Sequence, residues 1–271
     1  MHLDLHIHST ASDGTATPEE VVEAALAGGL DVIALTDHDT TAGVSRARAA
    51  AAGRSLEVIT GVEVSTTTNG FELHILGYFV DPDHPALMAY EAAAGTRRDE
   101  RMQEMVDNLQ SAGIDVTFEA VVEAAGEDRG NLGRPHLARA LLDAGYVSTV
   151  SEAFDRFIGN SHPAYVPTRL LTPEAGIELI VSAGGVPIWA HPWDEHLGRL
   201  LPGLVREGLR GIEVYRPRTP PHRVAELERL ARKEGLLVSG GSDWHGPDDG
   251  SLGTFRVRDD EVKGLLAARG D

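Results

Sequence analysis

Short apolar runs alternate along this chain with stretches of helical periodicity, and that alternation limits the fold more than any other feature. The first run is "HLDLHIH" (2–8). A helix follows from about Pro18, with Thr17 placed as N-cap, Pro18 at the first helical position and Glu20 completing a capping box. "DVIALTDHD" (31–39), "LEVITGVEVST" (56–66) and "FELHILGYFV" (71–80) read as the next strands. After a long middle section, helix 173–183 leads to "GVPIWAHP" (185–192), and a further helix to "RGIEVY" (210–215). Helix 221–234 leads to "LLVSGGSDWHG" (236–246), and a last helix is expected near 259–268. Strand-then-helix order of this kind predicts a parallel α/β architecture, either a barrel or an open sheet.

The middle section breaks the rhythm. Residues 86–112, 116–126 and 151–158 read as helices with no strong strand between them, and "GEDRGNLG" (126–133) reads as a loop. We therefore expect one α/β domain built from 1–81 and 166–271, with 82–165 as a helical insertion.

The residues with ligand chemistry fall in a pattern. Of twelve histidines, His6, His8, His38, His74, His191 and His245 lie at or near predicted strand ends, as do Asp13, Asp37, Asp39, Glu63 and Asp243. In parallel α/β folds the C-terminal strand ends form the functional face, so these residues should converge on one rim. His6 and His8 are two apart on a strand and share a face, and Asp243 and His245 repeat that spacing. Imidazole nitrogen mixed with carboxylate oxygen suits zinc, manganese or iron rather than calcium or magnesium alone. Nine candidate ligands exceed the needs of one ion and suit two or three sharing a bridging carboxylate. A histidine alone at a strand end is commonly a hydrogen-bonded packing residue. Burying nine such groups unpaired would be too costly for packing to explain them all. His2, His84, His162, His196 and His222 read as surface residues. Asp37 and Asp39 read equally well as partners that orient a histidine or as turn residues.

Charge limits the partners. With 24 basic and 42 acidic side chains the formal net charge is −18, which opposes extended binding to duplex DNA. Small phosphate ligands stay admissible, because clustered metal ions reverse the sign inside a cleft. No apolar run approaches the ~20 residues that span a bilayer, so no membrane role is expected. The absence of cysteine removes disulfides and thiolate chemistry. With no basic-then-apolar leader at the N-terminus, it fits a cytoplasmic enzyme. No obligate protein partner is evident.

Taken in order, "DLHIHSTASDG", "TDHDT", "GVEVS", "ELHILGYF", "AHP" and "GGSDWHG" resemble the PHP (polymerase and histidinol phosphatase) superfamily of metal-dependent phosphoesterases. The resemblance covers about 1–80 and 165–271. The middle section with "GRPH" is similar to a subgroup that removes the 3′-phosphate from nucleoside 3′,5′-bisphosphates, some members of which also trim short 5′-phosphorylated RNA. It implies a distorted (β/α)7 barrel of TIM-like form carrying a helical insertion and a trinuclear metal centre. One ion would take His6, His8, Glu63 and Asp243, and a second Asp13, His38 and His245. A third would take His74 and His191, with Glu63 bridging it to the first. Aspartate at 13, where many relatives carry histidine, favours manganese over zinc or iron. Glu63 and His191 are thereby expected in the catalytic machinery.

The implied reaction is attack on phosphorus by a hydroxide held between ions. Arg134 and His136 of "GRPH", with Arg216 beyond a strand end, are the candidates to hold the second phosphate of a small nucleotide or the 5′ end of a short RNA. For Arg134 the plain alternative is an exposed arginine at a helix start, with Pro135 near the N-terminus where proline is common. Two other readings are a histidinol-phosphate phosphatase and a non-catalytic PHP module. The insertion weighs against the first, and the complete ligand set against the second.

Overall fold

The computed structural model describes residues 1–69, 71–126, 130–168, 171–192 and 194–269; of 194 and 195 only the backbone is described. Residues 127–129 of the expected loop thus lie outside the described residues. The first half of the barrel is β1 (His2–Ile7), α1 (Pro18–Ala27), β2 (Val32–Leu35), α2 (Ala42–Ala51), β3 (Glu57–Thr68) and β4 (Phe71–Tyr78). A helical stretch follows: α3 (Pro85–Ser111), α4 (Phe118–Ala125), α5 (Arg134–Asp143), α6 (Val150–Ala153) and a π-helical turn at Phe154–Ile158. The second half is α7 (Pro173–Ser182), β5 (Val186–Trp189), α8 (Asp194–Arg206), β6 (Gly211–Tyr215), α9 (Pro221–Glu234), β7 (Leu237–Gly240), β8 (Val257–Arg258) and α10 (Lys263–Ala267).

The strands form one sheet in the order β7-β6-β5-β4-β3-β2-β1-β8, curled until β7 approaches β1. The seam is closed past the end of β7. There the Asp243 amide donates to His6 O at 2.9 Å, and the Ser242 amide to the Asp4 carboxylate at 2.8 Å. Gly241 makes this approach possible, since a Cβ there would lie 2.3 Å from the His6 backbone nitrogen. The result is a nearly closed, distorted barrel, with β8 added antiparallel outside β1. Helix α1 begins as expected, with Thr17 and Glu20 capping each other reciprocally and Pro18 at its start.

One expectation needs correction. The sheet is not wholly parallel, because β4 runs antiparallel to both β3 and β5. Thr68 pairs with Phe71 across the reversal, and Asn69 has φ +49°. Asn-Gly in a sequence is a pair that tight hairpins favour. The reversal also corrects the idea that every candidate sits at a C-terminal strand end. Glu63 lies mid-way along the twelve-residue β3, and His74 lies in the first half of the reversed β4, paired with Ser65.

Three apolar clusters fill the barrel and its helix layer. A fourth lies within the helical stretch, where Met102, Met105, Val106, Val121, Leu137 and Leu141 are buried together. Helix α3 serves both regions. Leu87 packs with the barrel cluster of Ile75 and Ile177, and Met102 and Met105 with the helical one. The stretch of α3 between these contacts carries Arg98 and Arg101, both buried at the barrel rim.

Candidate metal centre and active-site cleft

Glu63 is 1% exposed, and its two carboxylate oxygens face different imidazoles. Oε2 lies 3.2 Å from His6 Nε2, 3.2 Å from His8 Nε2 and 3.3 Å from His38 Nδ1. Oε1 lies 2.9 Å from His74 Nδ1 and 2.9 Å from His191 Nε2. Asp243 Oδ1 completes the first side, 3.3 Å from His6 Nε2 and 3.2 Å from His8 Nε2. Asp13 stands further along, with Oδ1 3.5 Å from His245 Nε2 and Oδ2 3.9 Å from His38 Nε2. All nine candidate ligands are thus gathered at one rim. Within that set, His6, His8, Glu63 and Asp243 form one group with ligand atoms mutually within 4.8 Å, and Asp13, His38, His245 and His8 form a second. A third group joins His38, Glu63 and His74.

The local chain explains these positions. His6 and His8 flank Ile7, whose side chain is buried in the layer under α1 and α2 while theirs face the barrel mouth. His191 and Asp243 lie two and three residues past the ends of β5 and β7 and hold left-handed backbone, at φ +32° and +57°, uncommon for non-glycine residues.

A cation fits this set better than protons do. Both ring nitrogens of His8 and Nδ1 of His38 are buried without a hydrogen bond, although carboxylate oxygens lie 3.2–3.8 Å away. The distances are close but the alignment is wrong for N–H donation, as expected where a shared ion would join the groups. The charges are strongly coupled. Burial alone would depress His8, yet Asp243, Glu63 and Asp13 lift it to about 10. Burial pushes His38 down to about 3. Burial opposes ionisation of Glu63, Asp13 and Asp243, but the surrounding imidazoles hold all three carboxyls below the usual range.

Residues beyond the nine candidate ligands support this centre. Glu213, fully buried on β6, accepts from His6 Nδ1 at 2.9 Å and from the His191 amide at 2.8 Å. With Nδ1 engaged by Glu213, Nε2 is the nitrogen that faces Glu63 and Asp243. A glutamate between the buried Ile212 and Val214 was the available signal. Asp4 accepts from the Ser242 and His6 amides, and burial raises its carboxyl to about 6. Asp37 and Asp39 do other work. Asp37 accepts from the Ser9 amide and the Ser9 and Ser12 hydroxyls, shaping the 9–14 loop. Asp39 accepts from Arg98 Nε at 2.7 Å, from the Ser65 amide and from the Tyr90 hydroxyl.

The centre opens into a cleft of about 650 Å³ whose walls, among the described residues, carry Arg98, Arg101, Arg134 and Arg216. Glu72 lies between two of them, 3.2 Å from Arg101 and 3.4 Å from Arg134. Arg134 also donates to Asn160 at 2.6 Å and lies over the rings of Phe154 and Tyr165. Arg216 Nε is buried with no partner among the described residues. Arg98 and Arg101 were invisible as site residues because only the packing of α3 on the rim brings them there. His136 is 2% exposed and is not among the residues that line the cleft; its Nδ1 accepts the Gly133 amide at 3.0 Å at the start of α5.

A family model for the PHP domain matches residues 4–169. The chain belongs to the PHP family. It is 36% identical over 266 residues to the 3′,5′-nucleoside bisphosphate phosphatase of Chromobacterium violaceum, covering 95% of this chain and 92% of that protein. It is 35% identical over 251 residues to the 5′-3′ exoribonuclease Rnm of Escherichia coli, covering 90% and 85%. A solved Bifidobacterium adolescentis structure, assigned as a metal-dependent phosphoesterase, superposes with a TM-score of 0.89 at 33% identity over 99% of this chain and 96% of that one. This PHP chain is accordingly a metal-dependent hydrolase of phosphoric esters, and its cluster of histidines and carboxylates can bind metal. Among the described residues, no helix is long and apolar enough to cross a membrane.

Proposed function

We propose that this PHP enzyme removes the 3′-phosphate of nucleoside 3′,5′-bisphosphates, and that the same centre trims short 5′-phosphorylated RNA from its 5′ end. The observation that carries this reading is the pairing of a carboxylate shared between two imidazole sets with an arginine-rich cleft beside it. A plain phosphomonoesterase needs only the first. The cleft supplies a place for a second anion on the same small molecule.

The nine residues would hold three divalent ions. His6, His8, Glu63 and Asp243 take one, Asp13, His38 and His245 another, and His74, His191 and Glu63 the third; manganese is the expected ion. Bound there, the ions supply Lewis acidity toward phosphate oxygens and an activated water. The chain's own contributions are separable. Glu63 fixes the spacing between the imidazole sets. Glu213 fixes the His6 tautomer and holds the backbone of His191. Arg98 is set against Asp39, and Arg101 and Arg134 share Glu72, so along this wall the guanidiniums outnumber the carboxylates paired with them, which suits a phosphate. Arg134 and Arg216 would meet that phosphate, while His136 would act through the turn into α5 and its charge near Asp13. The helical stretch 82–165 would thus serve as an insertion that completes the substrate cleft. A cysteine-free enzyme of this kind suits the cytoplasm.

The test is a substrate panel with manganese present: adenosine 3′,5′-bisphosphate, 3′-AMP, histidinol phosphate and a 5′-phosphorylated ribonucleotide oligomer. The bisphosphate is expected to give the highest kcat/KM, with AMP and phosphate as products. Faster turnover of histidinol phosphate would overturn the reading, and equal turnover of 3′-AMP would remove the second-phosphate site.

A further inference from the structure

A second cavity, of about 680 Å³, adjoins the centre on the side away from Glu63. It shares Pro135, Asp243 and His245 with the arginine-rich cleft, so two cavities border the same ligand residues. Their chemistry differs. The first carries guanidiniums beside its carboxylates. The second has an apolar wall of Leu142 and Val150, the hydroxyls of Thr149 and Ser151, and the carboxylates of Asp248 and Asp249. Its one arginine, Arg139, is half-buried and donates to the Asp13 carbonyl at 3.1 Å.

Two cavities at one hydrolytic centre are more than a phosphomonoester uses. In a bisphosphate, phosphorus carries one organic substituent, the ribose O3′ that leaves, and the first cleft accommodates that nucleotide with its 5′-phosphate. In RNA the same phosphorus carries a second substituent, the O5′ of the next nucleoside, which stays attached and must lie elsewhere. Resting on the phosphoesterase reading above, we propose that the second cavity holds this downstream nucleoside, so that the chain cleaves phosphodiesters through a subsite the monoester never enters. Its carboxylates disfavour a phosphate and suit ribose hydroxyls and exocyclic amines, and its apolar wall suits the face of a base. Its volume lies within the range of sites for small ligands. The step balances. Water adds its oxygen to phosphorus, the P–O3′ bond breaks, and O3′ takes a proton. The products are a nucleoside 5′-monophosphate and a shortened chain that again begins with a 5′-phosphate.

The test compares adenosine 3′,5′-bisphosphate with the 5′-phosphorylated dinucleotide pApA in wild type, Ser151→Trp and Val150→Trp, each checked for folding by circular dichroism. Ser151 is exposed at the cavity mouth, and an indole there would fill it. The ratio of kcat/KM for pApA to that for the bisphosphate should fall about tenfold or more in both variants. Binding of a pApA analogue with a methylene in place of the scissile O3′ should weaken by a similar factor in calorimetry, while adenosine 3′,5′-bisphosphate analogue binding holds. An unchanged ratio together with unchanged analogue affinity would overturn the proposal. Wild-type enzyme that turns over the bisphosphate but neither cleaves pApA nor binds its analogue would overturn the subsite and leave the phosphatase reading standing. If neither substrate is turned over, the phosphatase reading fails, and the analogue titration still decides the subsite.

Discussion

Replacing Glu213 with glutamine probes how the barrel prepares its imidazoles. The carboxylate is fully buried and accepts two donors, His6 Nδ1 at 2.9 Å and the His191 amide at 2.8 Å. Glutamine offers one acceptor oxygen and one donor NH₂. Whichever way it turns, an N–H faces an N–H, at a cost of about 1–3 kcal/mol. His6 can escape by moving its proton to Nε2, but that nitrogen faces Glu63 and Asp243 and would be lost to the metal. Losing such a supporting bond typically weakens metal affinity about 10–100-fold. At saturating metal this removes about 1.4–2.7 kcal/mol of ligand-linked stability, or about 3–10 °C of Tm for a chain of this size. The assay is a competition titration against a fluorescent chelator, with melting curves recorded with and without manganese. The gap between metal-loaded and metal-free Tm should shrink, with the metal-free value little changed. Affinity within twofold of wild type, or equal Tm losses in both states, would refute the reasoning.

Three further outcomes follow from the same geometry. Glu63→Gln should abolish turnover and reduce bound metal, measured by elemental analysis of the purified variant; a fully active variant would end the bridging role. Arg134→Ala should raise KM for adenosine 3′,5′-bisphosphate about tenfold or more while changing KM for 3′-AMP little, since its guanidinium faces the cleft rather than the cluster. Asp39→Asn should destabilise the fold by about 3–5 kcal/mol in urea unfolding, because Arg98 would be left buried with its charge uncompensated. Burial opposes ionisation of Asp39, but Arg98 holds its carboxyl below the ordinary range. That contribution is therefore complete above the unfolded-state pKa of about 3.9 and is lost as pH falls through the lower folded value. The wild type should lose this stability in acid, and the variant should lack that part of the acid dependence.

Much of this molecule is legible in local sequence, and the rest depends on distant packing. Thr17, Pro18 and Glu20 announce the start of α1 because a capping box is complete within four residues. The clustering of His6, His8, Asp13, His38, Glu63, His74, His191, Asp243 and His245 is readable because a barrel brings strand ends together whatever the side chains between them. The direction of β4 is signalled by the Asn-Gly pair at 69–70 in the sequence, while strand-helix rhythm points the other way. Arg98 and Arg101 could not be read, since their place depends on how a 27-residue helix lies across the rim. His136 looked like a cleft residue for its neighbours in sequence. Its position three residues after Gly133 instead makes it the partner of that buried turn amide.

The central claim is that these nine side chains form a polynuclear centre that hydrolyses nucleoside 3′,5′-bisphosphates. Its most direct test is anomalous diffraction at the manganese edge on manganese-loaded crystals, paired with turnover of adenosine 3′,5′-bisphosphate by the same preparation. The account predicts three anomalous peaks, one in each group of ligand atoms, with Glu63 between two of them, and activity that is lost on chelation and regained with manganese. Full turnover by protein that holds no metal at these residues would contradict it.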